Sequence, residues 1–273
     1  MLPFHTDTNM KLIDIGCNLT HDSFDPDRAA VVQSARDAGV VQMIVTGASA
    51  DGSRAALQLA REYPGELFAT AGVHPHLAAE FDDAAEALFR ELTAHDELVA
   101  VGETGLDYFR DLSPRDVQQE AFRRQLQIAV DSQLPCFLHL RDAHEDFHAI
   151  LSEVRDHLSD VVVHCFTGSR EEMHAYLDLD CYIGITGWIC DERRGTHMKD
   201  YLGEIPAERL LVETDAPYLK PRNLRPRVKS HRNEPRWLPW IVGTLAAVRN
   251  VHPEILAAQT TANARRFFRL PEG

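Results

Sequence analysis

Short runs of β-branched and other apolar residues recur along the chain, and each is followed by a longer stretch in which apolar residues return at helical spacing. Consecutive βα units around a parallel sheet produce this alternation. The apolar runs predict eight strands, at Lys11 to Gly16, Val41 to Thr46, Leu67 to Gly72, Leu98 to Gly102, Cys136 to Leu140, Val161 to His164, Tyr182 to Ile185 and Leu210 to Glu213. Among the stretches between them, Arg115 to Ser132 is the clearest helix. There Val117, Phe122, Leu126 and Ala129 share one face and Arg123, Arg124 and Gln127 fall elsewhere, with Ser113-Pro114 as the start signal. After the eighth run a loop rich in Pro and Arg, YLKPRNLRPRVKSHRNEPRW, leads to helical patterns near Trp237 to Val248 and Pro253 to Phe268. Eight strands, each with its helix, predict an α/β fold of one (β/α)₈ TIM-type barrel rather than an open doubly wound sheet.

Composition narrows this further. A length of 273 residues fits one such barrel, and 44% hydrophobic residues suffice to fill its interior. The longest apolar runs, such as Val41 to Val45, fall far short of the roughly 20 residues needed to cross a bilayer, so no membrane partner is expected. The start, MLPFHTDTNMKL, lacks a basic segment followed by an apolar one. Residues 1–10 are therefore expected to form a short polar leader, and residues 11–273 a single hydrolase barrel domain, in a cytoplasmic protein acting as a monomer. Cys17, Cys136, Cys165, Cys181 and Cys190 are odd in number and show no CxxC spacing, which fits a reducing compartment. A net charge of -14 disfavours a protein that coats nucleic acid non-specifically, although it allows a local basic patch.

Active sites of such barrels lie at the C-terminal ends of the strands. Almost every predicted strand delivers an ionisable or ligand-type residue there: Asp14 and Asn18 after the first, His74 and His76 after the third, Glu103 with Asp107 beyond it after the fourth, His139 after the fifth, His164 after the sixth and Asp215 after the eighth. Taken singly, each has an ordinary explanation: a hydrogen-bonded core histidine, a carboxylate at a helix start, a turn former. Taken together, Glu103, His139, His164 and Asp215 at one rim would repel or titrate unless a positive ion sat among them. A divalent cation meets that need, and it would lower the pKa of a bound water and polarise the scissile group. Imidazole with carboxylate suits Zn, Mn, Fe or Ni, and Mg with water-rich coordination. Cys165 is set aside as a nucleophile because it neighbours His164 on a strand and so points to the opposite face.

The segments DIGCNLT, TAGVHPH, GETGLD, FLHLRDAH, VVHCFTG, YIGITGW, LLVETDAPYL and RNEP, in this order from Asp14 to Pro235, resemble the TatD family of metal-dependent deoxyribonucleases within the wider amidohydrolase-like barrels. The resemblance implies a phosphodiesterase that shortens single-stranded DNA or RNA from the 3′ end. It implies Glu103, His139 and His164 as metal ligands, Asp215 as a further ligand or as the base for the attacking water, and His74 and His76 at the phosphate or the leaving group.

Many members of the wider family carry HxH where this chain has Gly16-Cys17-Asn18. A second ion would then rely on Asn18 and Asp14, an oxygen-rich position that favours Mg²⁺, with Mn²⁺ or Zn²⁺ as alternatives; Asn18 is also a candidate substrate contact. The late loop holds Lys220, Arg222, Arg225, Arg227, Lys229, Arg232 and Arg236 against the lone acid Glu234, and Arg193-Arg194 add to it. Of these, Arg222, Arg225 and Arg227 are the candidate phosphate contacts. Tyr108, Phe109, Phe166, Trp188 and Trp237 are candidates to stack bases. The competing reading is a metal-dependent amidase, lactonase or aminoacyl-ester deacylase on the same barrel, since a fold does not fix its substrate. A neutral lactone, however, has no use for an array of guanidinium groups.

Overall fold

Eight parallel strands pair in chain order in the computed structural model, which describes residues Met10–Glu272. The expected polar leader lies, apart from Met10, outside the described residues. The strands are β1 (Leu12–Cys17), β2 (Val40–Val45), β3 (Leu67–Ala71), β4 (Leu98–Asp107), β5 (Cys136–Arg141), β6 (Val161–Val163), β7 (Tyr182–Ile185) and β8 (Leu210–Val212). Around them run α1 (Arg28–Asp37), α2 (Ala50–Glu62), α3 (Asp83–Leu92), α4 (Arg115–Ser132), α5 (His144–Val154), α6 (Arg170–Asp178), α7 (Leu238–Arg249) and α8 (Pro253–Phe268). A bridge between Cys17 and Ala216 brings the first strand back to the last, with Asp215 N donating to Gly16 O at 2.8 Å. The expected TIM-type barrel is the observed fold.

Side-chain alternation along the strands sorts the interior into two buried groups. Leu12 and Val161 pack outward against the helices, whereas Ile13, Ile15, Ile44, Phe68, Val99, Phe137, Val162 and Leu211 fill the barrel itself. Phe267, Phe268 and Leu270, from the end of α8 and just past it, join this inner group and close the base of the barrel. Each buried phenylalanine there contributes roughly 1.5–3 kcal/mol. Phe137, fully buried, forms the floor beneath the mouth, its ring 4.4 Å from that of His164.

Two departures from the sequence pattern have local causes. The fourth strand does not stop at Gly102 but runs on to Asp107, with a register shift between Val101 and Thr104. Gly102 and Gly105 flank a bulge here. Gly105, at φ 146°, has no room for a side chain, because a Cβ there would lie 1.9 Å from the His139 carbonyl oxygen. Between β7 and β8 there is no α-helix: residues 187–209 form short 3₁₀ turns, and Gly187, Gly195, Gly203 and Pro206 are spread through them.

Candidate active site

The C-terminal ends of β3 to β6 converge on one carboxylate oxygen. Glu103 Oε1 lies 2.8 Å from His164 Nε2, 2.9 Å from His139 Nδ1 and 3.4 Å from His74 Nε2. Glu103 reaches this point because the extended β4 carries it across the mouth, where its N–H donates to Gly47 O at 2.7 Å. Burial opposes its ionisation, but the imidazoles of His74, His164 and His139 outweigh burial and hold its carboxyl well below the usual range. Burial likewise disfavours a charged His164, yet Glu103 and Glu213 outweigh it and raise that imidazole well above its ordinary value. His74 responds the other way and is pushed down to about 4, chiefly by burial.

The candidate residues sort as follows. Glu103, His139 and His164 meet directly, and His74 joins them: ligand atoms of His74, Glu103 and His139 lie within 4.8 Å of one another. His74 therefore stands inside the ligand-type cluster and not only beside it. His76 turns away and contacts Asp107 Oδ2 at 2.7 Å, an oxygen that also lies 3.3 Å from His139 Nε2. Asp215, with its backbone at φ 54°, is held by Asn18 Nδ2 at 3.2 Å. Burial first, then Glu103 and Glu213, push its carboxyl up to about 7 against the pull of His164.

Two expectations about the second ion position change. Asp14 is fully buried and spends its oxygens on Gly16 N, Thr214 N and Thr214 Oγ1, so it braces β1 against the β8 end and offers nothing to an ion. Burial also pushes its carboxyl up to about 8. The space beside Gly16 belongs to Glu213, which is absent from the sequence candidates: a Cβ on Gly16 would lie 2.5 Å from Glu213 Oε2 and 2.8 Å from Phe137 Cζ. Glu213 is fully buried, accepts from Cys165 N at 2.6 Å and lies 3.3 Å from His164 Nδ1. A charge closing an apolar strand, as in LLVE, was the available signal, since such a group is almost never buried without a partner.

The basic loops after β7 and β8 enclose a chamber of about 830 Å³ lined by Arg193, Arg194, Lys220, Arg222, Arg225 and Arg227 among others. Not all the cations are free to meet a substrate. Arg222 pairs with Glu192 at 3.2 Å and lies 3.6 Å from Asp191. Arg232 is tied to Asp27 at 2.7 Å and to Glu234, which anchors the loop to the start of α1. Arg225 and Arg227 are exposed and pair with no carboxylate among the described residues. Of the candidate stacking aromatics, Phe166 is buried in the core, and the Tyr108 hydroxyl is engaged by Asp146 and Gln119.

Imidazole nitrogens and carboxylate oxygens this close form a donor set that a divalent cation satisfies. A parallel barrel with that set at its C-terminal rim defines a metal-dependent hydrolase of the amidohydrolase-like class. The chain belongs to the TatD related DNase family, whose model matches residues 13–269. It is 49% identical over 260 residues to the 3′-5′ ssDNA/RNA exonuclease TatD of Erwinia billingiae, covering 95% of this chain and all of that one. The protein of the same name from Salmonella typhimurium is 50% identical over 257 residues, covering 94% and 98%. The crystal structure of YjjV, a TatD homologue from Escherichia coli K12, superposes with a TM-score of 0.87 at 29% identity, covering 95% and 98% of the two chains.

Proposed function

We propose that this chain is a metal-dependent 3′-5′ exonuclease acting on single-stranded DNA, and on RNA. The observation that carries this reading is that the cluster around Glu103 and an arginine-lined chamber both lie at the C-terminal ends of the strands, a pairing of hydrolytic and phosphate-binding chemistry. Held by Glu103, His139 and His164 together with His74, and with Asp215 at its edge, a divalent cation, Mg²⁺ first among the candidates, would lower the pKa of a water and offset charge on the phosphate. Asp215, steadied by Asn18, takes the proton of the attacking water. His76, oriented by Asp107, hands a proton to the departing oxygen. His74 and Asn18 border the phosphate, and Arg225 and Arg227, which no carboxylate engages among the described residues, receive the upstream backbone.

The test is end protection. A 3′-phosphorothioate cap should protect single-stranded DNA, while a 5′ cap should not. Protection by the 5′ cap alone would reverse the polarity. Turnover of amide or lactone panels with no nucleotide release would establish the small-molecule hydrolase instead.

The basic loop gives a second expectation. Arg225→Ala combined with Arg227→Ala should raise KM for single-stranded DNA and flatten its salt dependence, because every arginine–phosphate pair that disappears takes roughly 0.7 from the log–log slope. The value of kcat should change less. An unchanged slope measured between low and physiological salt would mean that these two arginines touch no phosphate.

A further inference from the structure

The mouth of the barrel also carries an alternation of flat groups outside the ligand cluster. Arg141 lies two residues beyond His139 on β5, so the two side chains leave the same face of the strand. Its guanidinium sits 4.9 Å from the ring centroid of Phe109 and 5.2 Å from that of Trp188. The guanidinium of Arg194 covers Trp188 at 4.2 Å. Side chains from the ends of β4, β5 and β7 thus run in the order Phe109, Arg141, Trp188, Arg194. Cation–π attraction accounts for part of this arrangement.

Two features go beyond packing. Phe109 is 60% exposed, so one ring face of the series is left open to solvent. Trp188 Nε1 is a shielded donor with no hydrogen-bond acceptor among the described residues, whereas buried donors normally have one; the Arg141 Nε lies 3.6 Å from its neighbour Asp142. The series also leads somewhere. Trp188 borders a cleft of about 210 Å³ shared with Arg141, and Trp188 and Arg194 both line the basic chamber.

We propose that Phe109, Arg141, Trp188 and Arg194 form a stacking rail for unpaired nucleobases, carrying the strand from the ligand cluster to the basic chamber. The inference rests on the nuclease reading and extends it by naming the groups that grip bases rather than phosphates. Every base has a π face, so the rail accepts any sequence. Bases in a duplex have both faces covered, so the rail takes single strands. The unmet donor of Trp188 finds an acceptor in a base carbonyl or phosphate oxygen of the strand.

Binding to a fluorescently labelled single-stranded oligonucleotide, followed by anisotropy with Mg²⁺ present and a 3′-phosphorothioate cap to prevent cleavage, tests this. Phe109→Ala and Trp188→Ala should each weaken binding about tenfold, and Trp188→Phe should recover most of the loss. On an oligonucleotide whose 3′-terminal residues are abasic, the gap between variant and parent should close. Arg141→Lys keeps the charge but loses the plane, so affinity should fall with the salt slope unchanged. Equal binding of the ordinary oligonucleotide by parent and Phe109→Ala overturns the rail, as does a loss that persists undiminished on the abasic one. A parent that binds in a base-dependent way yet releases no nucleotide from an uncapped strand refutes the nuclease reading and leaves the rail standing.

Discussion

Glu103→Gln is expected to reduce nucleotide release from single-stranded DNA by at least about 10³-fold, beyond the roughly 10–100-fold cost of altering a partner of a metal ligand. Three imidazoles meet at Glu103 Oε1, and no other residue of the cluster links them all. Glutamine keeps the size but removes the charge, and it places an amide N–H₂ group among groups that need an acceptor. Metal content measured on the purified variant should fall together with activity, while circular dichroism should show the barrel intact. Activity within tenfold of the parent would remove Glu103 from the centre of the mechanism.

Stripping divalent cations should have an effect of similar size without any substitution. Chelation should bring turnover to background, and millimolar Mg²⁺ should restore it. Stability supplies an independent readout, because an ion bound only by the folded state at about 100 times its dissociation constant adds about 2.7 kcal/mol. For a chain of this size that corresponds to a rise in Tm of about 5–10 °C. Calorimetric scans with and without Mg²⁺ measure it. Full activity in protein shown by elemental analysis to be metal-free would end the metal mechanism.

Much of the fold and part of the site were legible in the sequence. Strands such as Cys136–Arg141 and helices such as Arg115–Ser132 were plain because burial imposes period 2 or 3.6 on apolar residues. Glu103, His139 and His164 were legible because each stands at or just past the end of an apolar run in the sequence. Glu213 was not: it also closes a strand, but its neighbour Asp215 offered an ordinary reason for an acid in that turn, and only the packing against Gly16 and His164 shows which carboxylate sits deepest. The continuation of β4 past Gly102 was hidden for a related reason. Glycines that look like turn formers are there to let two backbones approach, and that distance is tertiary information. Likewise, Arg222 and Arg225 read alike in the chain, but Glu192, thirty residues earlier, engages the first and leaves the second.

The plug of Phe267, Phe268 and Leu270 has a consequence for traffic. With the base of the barrel sealed, the described residues form a cul-de-sac whose doorway is the rim. A polymer cannot thread through it, so a free end can dip in where the middle of a strand would have to enter doubled back on itself. Whatever is cut off must leave by the same doorway that the remaining strand occupies. The strand has to yield between successive cuts, which makes clearance of the product, rather than the chemistry alone, a part of each cycle.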